Sequence, residues 1–375
     1  MEKQKKTNPG VSEESENRFG EIRKQFDETD RQLVSCLNQR AKLSIEMGKI
    51  KAAVNDTVFK AAREKELLQT LVKKNPGPLP EDHLLAVYRE ILSSSRRLQQ
   101  PREVAYLGPE GTFSYFAGVE YLGYSMEFRP KSNFNDVFHA VAAKEAELGI
   151  IPLENSLQGS VGQCLDLFLK YNVFIQSEVF SKISHTLLSN ETTLSEVETI
   201  YSHHQPLEQC ATWLRTHLPQ AKIIPMESTA AAAKQITGLK RCAAIGHIKL
   251  SEMLGLGVLA RNIEDLPDNW TRFVIIGRSF PKGETHDKTS ILFTLPDKSG
   301  ALVGVLNLLA ERKINMKKLE SRPMRSEKWQ YVFFTDVECD LSRPEYSDLV
   351  KELATSCHSL RILGSYPSGP YLDGL

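Results

Sequence analysis

Hydrophobic positions along the chain change period twice. From Phe19 to about Gln100 they recur at steps of three and four, and the only strong breaker is Asn75-Pro-Gly-Pro-Leu-Pro80. With a softer break at Val54-Asn55-Asp56-Thr57, the pattern predicts three helices, at about 20–53, 57–74 and 81–99. From Val104 short β-branched runs take over, at 104–106, 148–151, 173–180, 199–201, 222–225, 242–245 and 273–276. They alternate with helical stretches such as 135–144 and 206–216, an α/β pattern that places ligands at the carboxyl ends of strands. After a polar linker around 281–287, the last segment reads strand (290–295), helix (301–312), strand (315–321), strand (330–337), helix (344–357) and strand (360–363). That βαββαβ order is ferredoxin-like. The expected fold is multidomain: an all-α domain at 19–100, an α/β domain at 104–279 and an α+β domain at 288–367. A polar stretch at 1–18 reads as a disordered tail.

Composition narrows the function. The chain has 375 residues, of which 41% are hydrophobic and 25% charged, ordinary values that exclude wholesale disorder. Lys+Arg and Asp+Glu both number 47, which removes the broad electrostatic case for nucleic acid or an anionic membrane. Any bound anion therefore needs locally placed cations, and residues 1–100 do carry 19 Lys+Arg against 15 Asp+Glu. The six cysteines are scattered without a CxxC pair, which suits neither a disulfide framework nor a zinc site. No apolar signal-peptide core and no run near the roughly 20 apolar residues of a bilayer span occur, so the cytoplasm is expected. No metal or cofactor is expected either.

In the first helix Phe26, Asp30, Leu33, Leu37, Arg40, Ser44, Met47 and Lys51 form one heptad-spaced stripe that begins apolar and turns cationic. Burying unpaired cations costs several kcal/mol each, about what an anionic ligand would have to offset. Tyr88, Leu92, Ser95 and Gln99 share a face of the third helix, and Arg63-Glu64 interrupts the apolar pattern of the second. The stripe is an oligomerisation seam whose polar residues fix register, a solvated face, or the wall of a polar pocket inside a helical bundle. Arg23 lies about 100° around the helix from Arg40 and would reach the same pocket only from a second subunit.

These residues resemble the all-helical chorismate mutases fused to the front of bacterial bifunctional P-proteins. The shared positions are Arg23 in IRKQFDETD, Arg40 in LNQRAKL, Lys51 in EMGKIK, Arg63-Glu64 in AAREKELL, and Ser95 with Gln99 in YREILSSSRRLQ. Lys60 stands where that family often has an acidic residue. The resemblance implies an intertwined dimer in which Arg23 enters the partner's site. It also implies that Arg23 and Arg40 clamp the carboxylates of chorismate, and that Lys51 and Gln99 donate to its ether oxygen. Glu64 would hold the substrate hydroxyl, with Arg63 and Ser95 as further substrate contacts. Such a unimolecular rearrangement needs positioning and charge stabilisation, with no nucleophile.

Polar clusters mark four strand ends of the second segment. They are Leu107-Gly-Pro-Glu-Gly-Thr-Phe-Ser114, Pro152-Leu-Glu-Asn-Ser-Leu-Gln-Gly-Ser160, Tyr201-Ser-His-His-Gln-Pro-Leu-Glu-Gln-Cys210, and Asn269-Trp-Thr-Arg-Phe273, with Glu227-Ser-Thr capping an Ala-rich helix. His203-His204 reads as a capping pair, since no third ligand lies at metal spacing. Together the strings resemble the prephenate dehydratase domain, in the family's order, and imply a two-lobed, periplasmic-binding-protein-like fold with substrate in the cleft. By that resemblance Thr271 is the catalytic hydroxyl, and Arg272 and Phe273 adjoin the substrate. Glu154, Asn155, Ser156, Ser202 and Gln209 would line the pocket.

In the third segment Gly300, Ala301, Leu302 and Val303 open a helix, and Glu320, Ser321, Arg322 and Pro323 end a strand. Both strings resemble the ACT regulatory domain, where they imply an inter-subunit site for L-phenylalanine. The whole reading is a bifunctional enzyme of phenylalanine biosynthesis. It would turn chorismate into prephenate and then phenylpyruvate, inhibited by phenylalanine, as a homodimer or larger homo-oligomer. The alternatives are an arogenate dehydratase and a non-enzymatic amino-acid sensor, and a sensor needs neither Thr271 nor the cationic seam.

Overall fold

The computed structural model describes residues 13–54, 56–100, 103–281, 286–324 and 331–373. It divides into two units, Met1–Val58 with Leu98–Gln100, and Phe59–Arg97 with Pro101–Leu375.

The first unit is dominated by α1 (Glu13–Ala53), 41 residues long. It begins inside the stretch expected to be a disordered tail, because Glu14 and Glu16 supply the negative charge that a helix N-terminus favours. Gly48 is required by a close approach: a Cβ there would stand 2.3 Å from the Gln99 carbonyl oxygen. Along α1, Phe19, Ile22, Phe26, Leu33, Val34 and Leu37 are exposed, an apolar surface unusual for a helix in water.

The second unit starts with α2 (Ala61–Lys74) and continues with α3 (Glu81–Gln99). The onset of α2 falls four residues later than the pattern predicts. Phe59 is drawn into a core with Val104, Tyr106, Leu122 and Ile275, and Lys60 stays extended at φ −133°.

The α/β region follows as two lobes. The first contains β1 (Glu103–Leu107), α4 (Phe113–Leu122), β2 (Glu127–Lys131), α5 (Phe134–Ala142), β3 (Leu148–Asn155), β4 (Gly159–Ser160), α6 (Gly162–Lys170) and β5 (Phe174–Lys182). The second contains β6 (Thr186–Ser189), β7 (Thr199–His203), α7 (His204–Gln209), α8 (Ala211–His217), β8 (Lys222–Met226), α9 (Thr229–Ile236), β9 (Cys242–Gly246), α10 (Lys249–Leu254) and β10 (Gly257–Ala260), with strand order β10-β6-β9-β7-β8. The chain then returns through β11 (Trp270–Gly277), which inserts antiparallel between β3 and β5 of the first sheet. The chain thus crosses between lobes twice, after β5 and before β11.

The third region is β12 (Lys288–Thr294), α11 (Ala301–Glu311), β13 (Met316–Pro323), β14 (Tyr331–Val337), α12 (Ser347–Ser356) and β15 (Ser359–Tyr366), in sheet order β13-β14-β12-β15. This is the βαββαβ order that the pattern predicts. Its sheet shares a core with the first lobe: Leu292, Val332, Phe334, Leu363 and Tyr366 pack with Phe138, Phe168 and Val274. Arg361 donates to the carbonyls of Phe168, Tyr171 (3.0 Å) and Val173 (2.9 Å), satisfying acceptors left open at the end of α6. A final short strand, β16 (Tyr371–Leu372), returns to pair parallel with β5, and Tyr371 stacks on Phe180 at 4.6 Å.

Candidate active site

In the first unit α1 carries Arg23, Arg40 and Lys51. Arg23 is exposed, whereas Arg40 and Lys51 are half-buried. Lys51 Nζ donates to the Val58 carbonyl at 3.1 Å, and Gln99 packs its backbone over Gly48, one helical turn before Lys51. In the second unit Ser95 is buried with its hydroxyl donating to Ile91 O at 2.8 Å. Arg63 pairs with Glu66 on the exposed face of α2. Glu64 receives Arg96 Nη1 on both carboxylate oxygens, at 2.7 and 2.6 Å. Arg96, buried under Phe59 and also donating to Leu122 O, is a support that the sequence reading missed.

Between the two lobes of the second unit lies a cleft of about 1100 Å³. Its floor is the pair β3–β11. A bulge at Leu153, where the register passes from Arg272↔Glu154 to Phe273↔Pro152, turns Pro152 and Asn155 to the same side as Thr271 and Phe273. Asn155 Nδ2 donates to Thr271 Oγ1 at 3.0 Å, to Asn269 Oδ1 at 2.6 Å and to Trp270 O at 3.3 Å. Since the Thr271 oxygen accepts from Asn155, its own O–H is left to donate, and no acceptor for it is placed among the described residues.

The walls supply positive potential from Lys131, which also pairs with Glu145 at 3.3 Å, and from helix ends. Helices α4 and α9 both point their N-termini at the cleft, capped by Thr112 (from Tyr115 N, 3.4 Å) and Ser228 (from Ala231 N, 3.0 Å). The uncapped amides of a first turn attract anions. Gly111 makes the α4 turn possible: its φ is +92°, and a Cβ would meet Leu250 at 2.6 Å. Gln209 from α7 also lines the cleft and accepts at 2.7 Å from His185 Nε2. Burial pushes the His185 pKa down, against the smaller opposing pull of Gln209 and Glu264, so this imidazole is neutral. His203 caps α7, accepting from Gln205 N at 3.4 Å.

Three of the expected lining residues, and Arg272, which was expected to adjoin the substrate, sit elsewhere. Ser202 is buried inside the second lobe, donating to Ile245 O at 2.8 Å. Ser156 braces the β3–β11 turn, donating to Asp268 O and accepting from Trp270 N. Glu154 pairs with Lys318 at 3.0 Å. Arg272 faces away from the cleft because consecutive residues of a strand point to opposite faces. It donates to Glu178 Oε2 (2.7 Å), to Asp336 and to Tyr366 OH (2.9 Å), 5% exposed. The cleft also holds Pro152 and Thr229, which belong to the polar strings but not to the expected lining set, and His185, which the sequence reading missed although it is a lone imidazole just past a strand end.

Three family models match the chain: Chorismate mutase type II over residues 22–100, Prephenate dehydratase over 104–280 and ACT domain over 289–354. A bifunctional chorismate mutase/prephenate dehydratase of Aquifex aeolicus is 38% identical over 92% of this chain and 97% of its own length. The chain belongs to the bifunctional chorismate mutase/prephenate dehydratase family. Another member, from Stutzerimonas stutzeri, is 37% identical over 92% of this chain and 96% of its own. A solved prephenate dehydratase from Arthrobacter aurescens, in complex with L-Phe, superposes with TM-score 0.64 at 31% identity, covering 71% of this chain and 90% of that one.

The ACT domain of this family member places its two expected motifs differently. Gly300, at φ +79°, precedes α11, and Ala301, Leu302 and Val303 form its first turn, Val303 exposed. Glu320 and Arg322 project from β13 onto the dehydratase domain: Glu320 accepts from Ser160, and Arg322 donates to Asp166 at 2.9 and 3.3 Å. Ser321 and Pro323, on the opposite face of the strand, are exposed. Among the described residues no helix is long and apolar enough to cross a membrane.

Proposed function

We propose that this chain converts chorismate to prephenate through its helical residues and prephenate to phenylpyruvate in the interlobe cleft, under feedback by L-phenylalanine. The corresponding domains are 19–100, 104–279 and 288–367, and the setting is cytoplasmic. The observation that carries the dehydratase step is the hydroxyl of Thr271, turned donor by the hydrogen bond it accepts from Asn155.

Prephenate loses its ring carboxylate as CO₂, and the electron pair of that C–C bond enters the ring as the ring C–O bond breaks. The departing oxygen leaves as hydroxide and takes a proton from solvent. A threonine hydroxyl is a weak acid, so Thr271 stabilises the departing oxygen by a hydrogen bond aimed before the reaction begins. The amides of α4 and α9 hold the substrate's carboxylates, Gln209 and Phe273 flank its ring, and aromatisation supplies the driving force.

In the mutase reaction Arg23 and Arg40 hold carboxylates while Lys51 and Gln99 stabilise charge on the ether oxygen. Arg63 and Ser95 add further contacts. The lone pairs of Glu64 not taken by Arg96 accept the substrate hydroxyl. The exposed apolar residues of α1 support a homodimer whose second copy delivers Arg23. Phenylalanine is held by its carboxylate at the start of α11 and by residues Glu320–Pro323. The contacts of Glu320 and Arg322 with the dehydratase domain support a direct route from that effector to the cleft.

Thr271→Val keeps the shape of the side chain and removes its hydroxyl. Dehydratase turnover is expected to fall by about 10²–10³, the usual loss for one such donor, with mutase turnover unchanged. A valine variant that retains dehydratase activity removes Thr271 from the chemistry.

A further inference from the structure

The hydrogen bonds around Asn155 settle the orientation of a second amide in the cleft. Asn155 Oδ1 accepts from the backbone N–H groups of Leu157 and Gln158, both at 3.1 Å, so its Nδ2 is the end facing β11. An amide nitrogen only donates, and the Asn269 atom 2.6 Å away must therefore be Oδ1. The far end of Asn269 is then Nδ2, with two N–H donors. That atom is buried and has no hydrogen-bond partner among the described residues. Asn269 is 1% exposed and lines the cleft two residues from Thr271. Folded proteins rarely leave a buried amide donor unpaired, and those they leave call for a ligand, an ordered water or a functional reason.

We propose that Asn269 is a second donor to the departing hydroxyl in the dehydratase reaction. The inference rests on the dehydratase reading above and deepens it. One nitrogen of Asn155 holds both the Asn269 carbonyl and the Thr271 hydroxyl oxygen, so a single side chain fixes these two cleft-lining residues side by side. As the ring C–O bond breaks and the oxygen gains charge, Thr271 O–H and Asn269 N–H both hydrogen-bond to it. The pair of the breaking C–O bond leaves with the oxygen, the pair of the C–C bond to the carboxylate released as CO₂ enters the ring in its place, and solvent supplies the proton that completes water. Because the charge appears only as the bond breaks, Asn269 acts mainly on kcat.

The test uses the full chain with prephenate, following phenylpyruvate and recording mutase turnover in the same preparations. Asn269→Ala is expected to lower kcat about 10²-fold with KM changed less than about threefold. Asn269→Asp keeps an acceptor for Asn155 but sets a carboxylate beside the departing hydroxide. Its loss should be larger at pH 7.5 and partly reversed toward pH 5.5, as the carboxyl takes up a proton and becomes a donor. A merely structural role would produce no such pH-dependent recovery. If the alanine variant also loses mutase turnover, its fold is compromised and the isosteric aspartate variant decides. A kcat within twofold of wild type, a change in KM alone, or a pH-independent loss in the aspartate variant overturns the inference while the dehydratase reading stands. A wild-type chain inert toward prephenate overturns that reading and this inference with it.

Discussion

Asp336→Asn would remove one of two buried carboxylates behind β11. The cluster there holds Arg272 and Lys288 against Glu178 and Asp336, a balanced set in which no member is more than 8% exposed. Arg272 bonds both carboxylates, Lys288 Nζ donates to Glu178 at 2.8 and 3.0 Å, and Ser290 donates to Asp336. Burial alone would push the Asp336 carboxyl up. Arg272 and Lys288 outweigh burial and hold it below the usual carboxylate range, so it is ionised. The asparagine variant keeps the shape and leaves one uncompensated buried positive charge, a change that typically costs about 3–5 kcal/mol.

If charge balance is the cause, Lys288→Met should offset part of that loss, and the double variant should be more stable than Asp336→Asn alone. The assay is urea unfolding followed by tryptophan fluorescence, with the dehydratase and mutase rates of each variant beside it, because a multidomain chain need not unfold in one step. Arg272 adjoins Thr271, so the dehydratase rate should fall about tenfold, equivalent to about 1.4 kcal/mol, while the mutase rate holds. A cost under about 1 kcal/mol for Asp336→Asn, or strictly additive losses in the double variant, would refute the reasoning.

Two further outcomes follow from other parts of the molecule. Arg40→Ala should abolish mutase turnover and spare the dehydratase, and mixing Arg40→Ala with Arg23→Ala chains should restore part of it in heterodimers. No recovery after confirmed subunit exchange counts against a shared site. His247, whose pKa is pushed down to about 3 by burial, Lys249 and His185, binds a proton when unfolded but not when folded. Stability should therefore fall as pH drops from about 6.5 toward 3, at up to about 1.4 kcal/mol per pH unit from this group. His247→Asn keeps an acceptor for the Lys249 amide, which His247 accepts at 3.2 Å, and should flatten that pH dependence of the urea midpoint. An unchanged slope contradicts the assignment.

The strongly periodic elements were readable from the residues alone. The helices of the first hundred residues and the βαββαβ order of the third region follow from apolar spacing, and the polar strings do fall at strand ends. What the pattern could not show is burial between distant segments. Phe59 and Lys60 read as helix, and packing of Phe59 against the dehydratase core keeps both out of it. The strand β2 was missed because EFRPK is an edge strand with little buried surface to create alternation. Cys210 interrupts the helix expected at 206–216, where its φ of −112° separates α7 from α8. The misplacement of Arg272 and Glu154 was avoidable, since a period of two already puts them on the face opposite Thr271 and Asn155. Their destination was not readable, because the carboxylate and lysine that hold them, Asp336 and Lys318, lie in another domain.

Both activities in one chain form the central claim, and a single time course tests it. Purified wild-type protein is given chorismate, prephenate and phenylpyruvate are followed together, and L-phenylalanine is then added. Prephenate should appear first and phenylpyruvate after it, with phenylalanine suppressing the second product. Thr271→Val should let prephenate accumulate undiminished. Consumption of chorismate without any phenylpyruvate from the wild-type chain, or no consumption at all, would contradict the account.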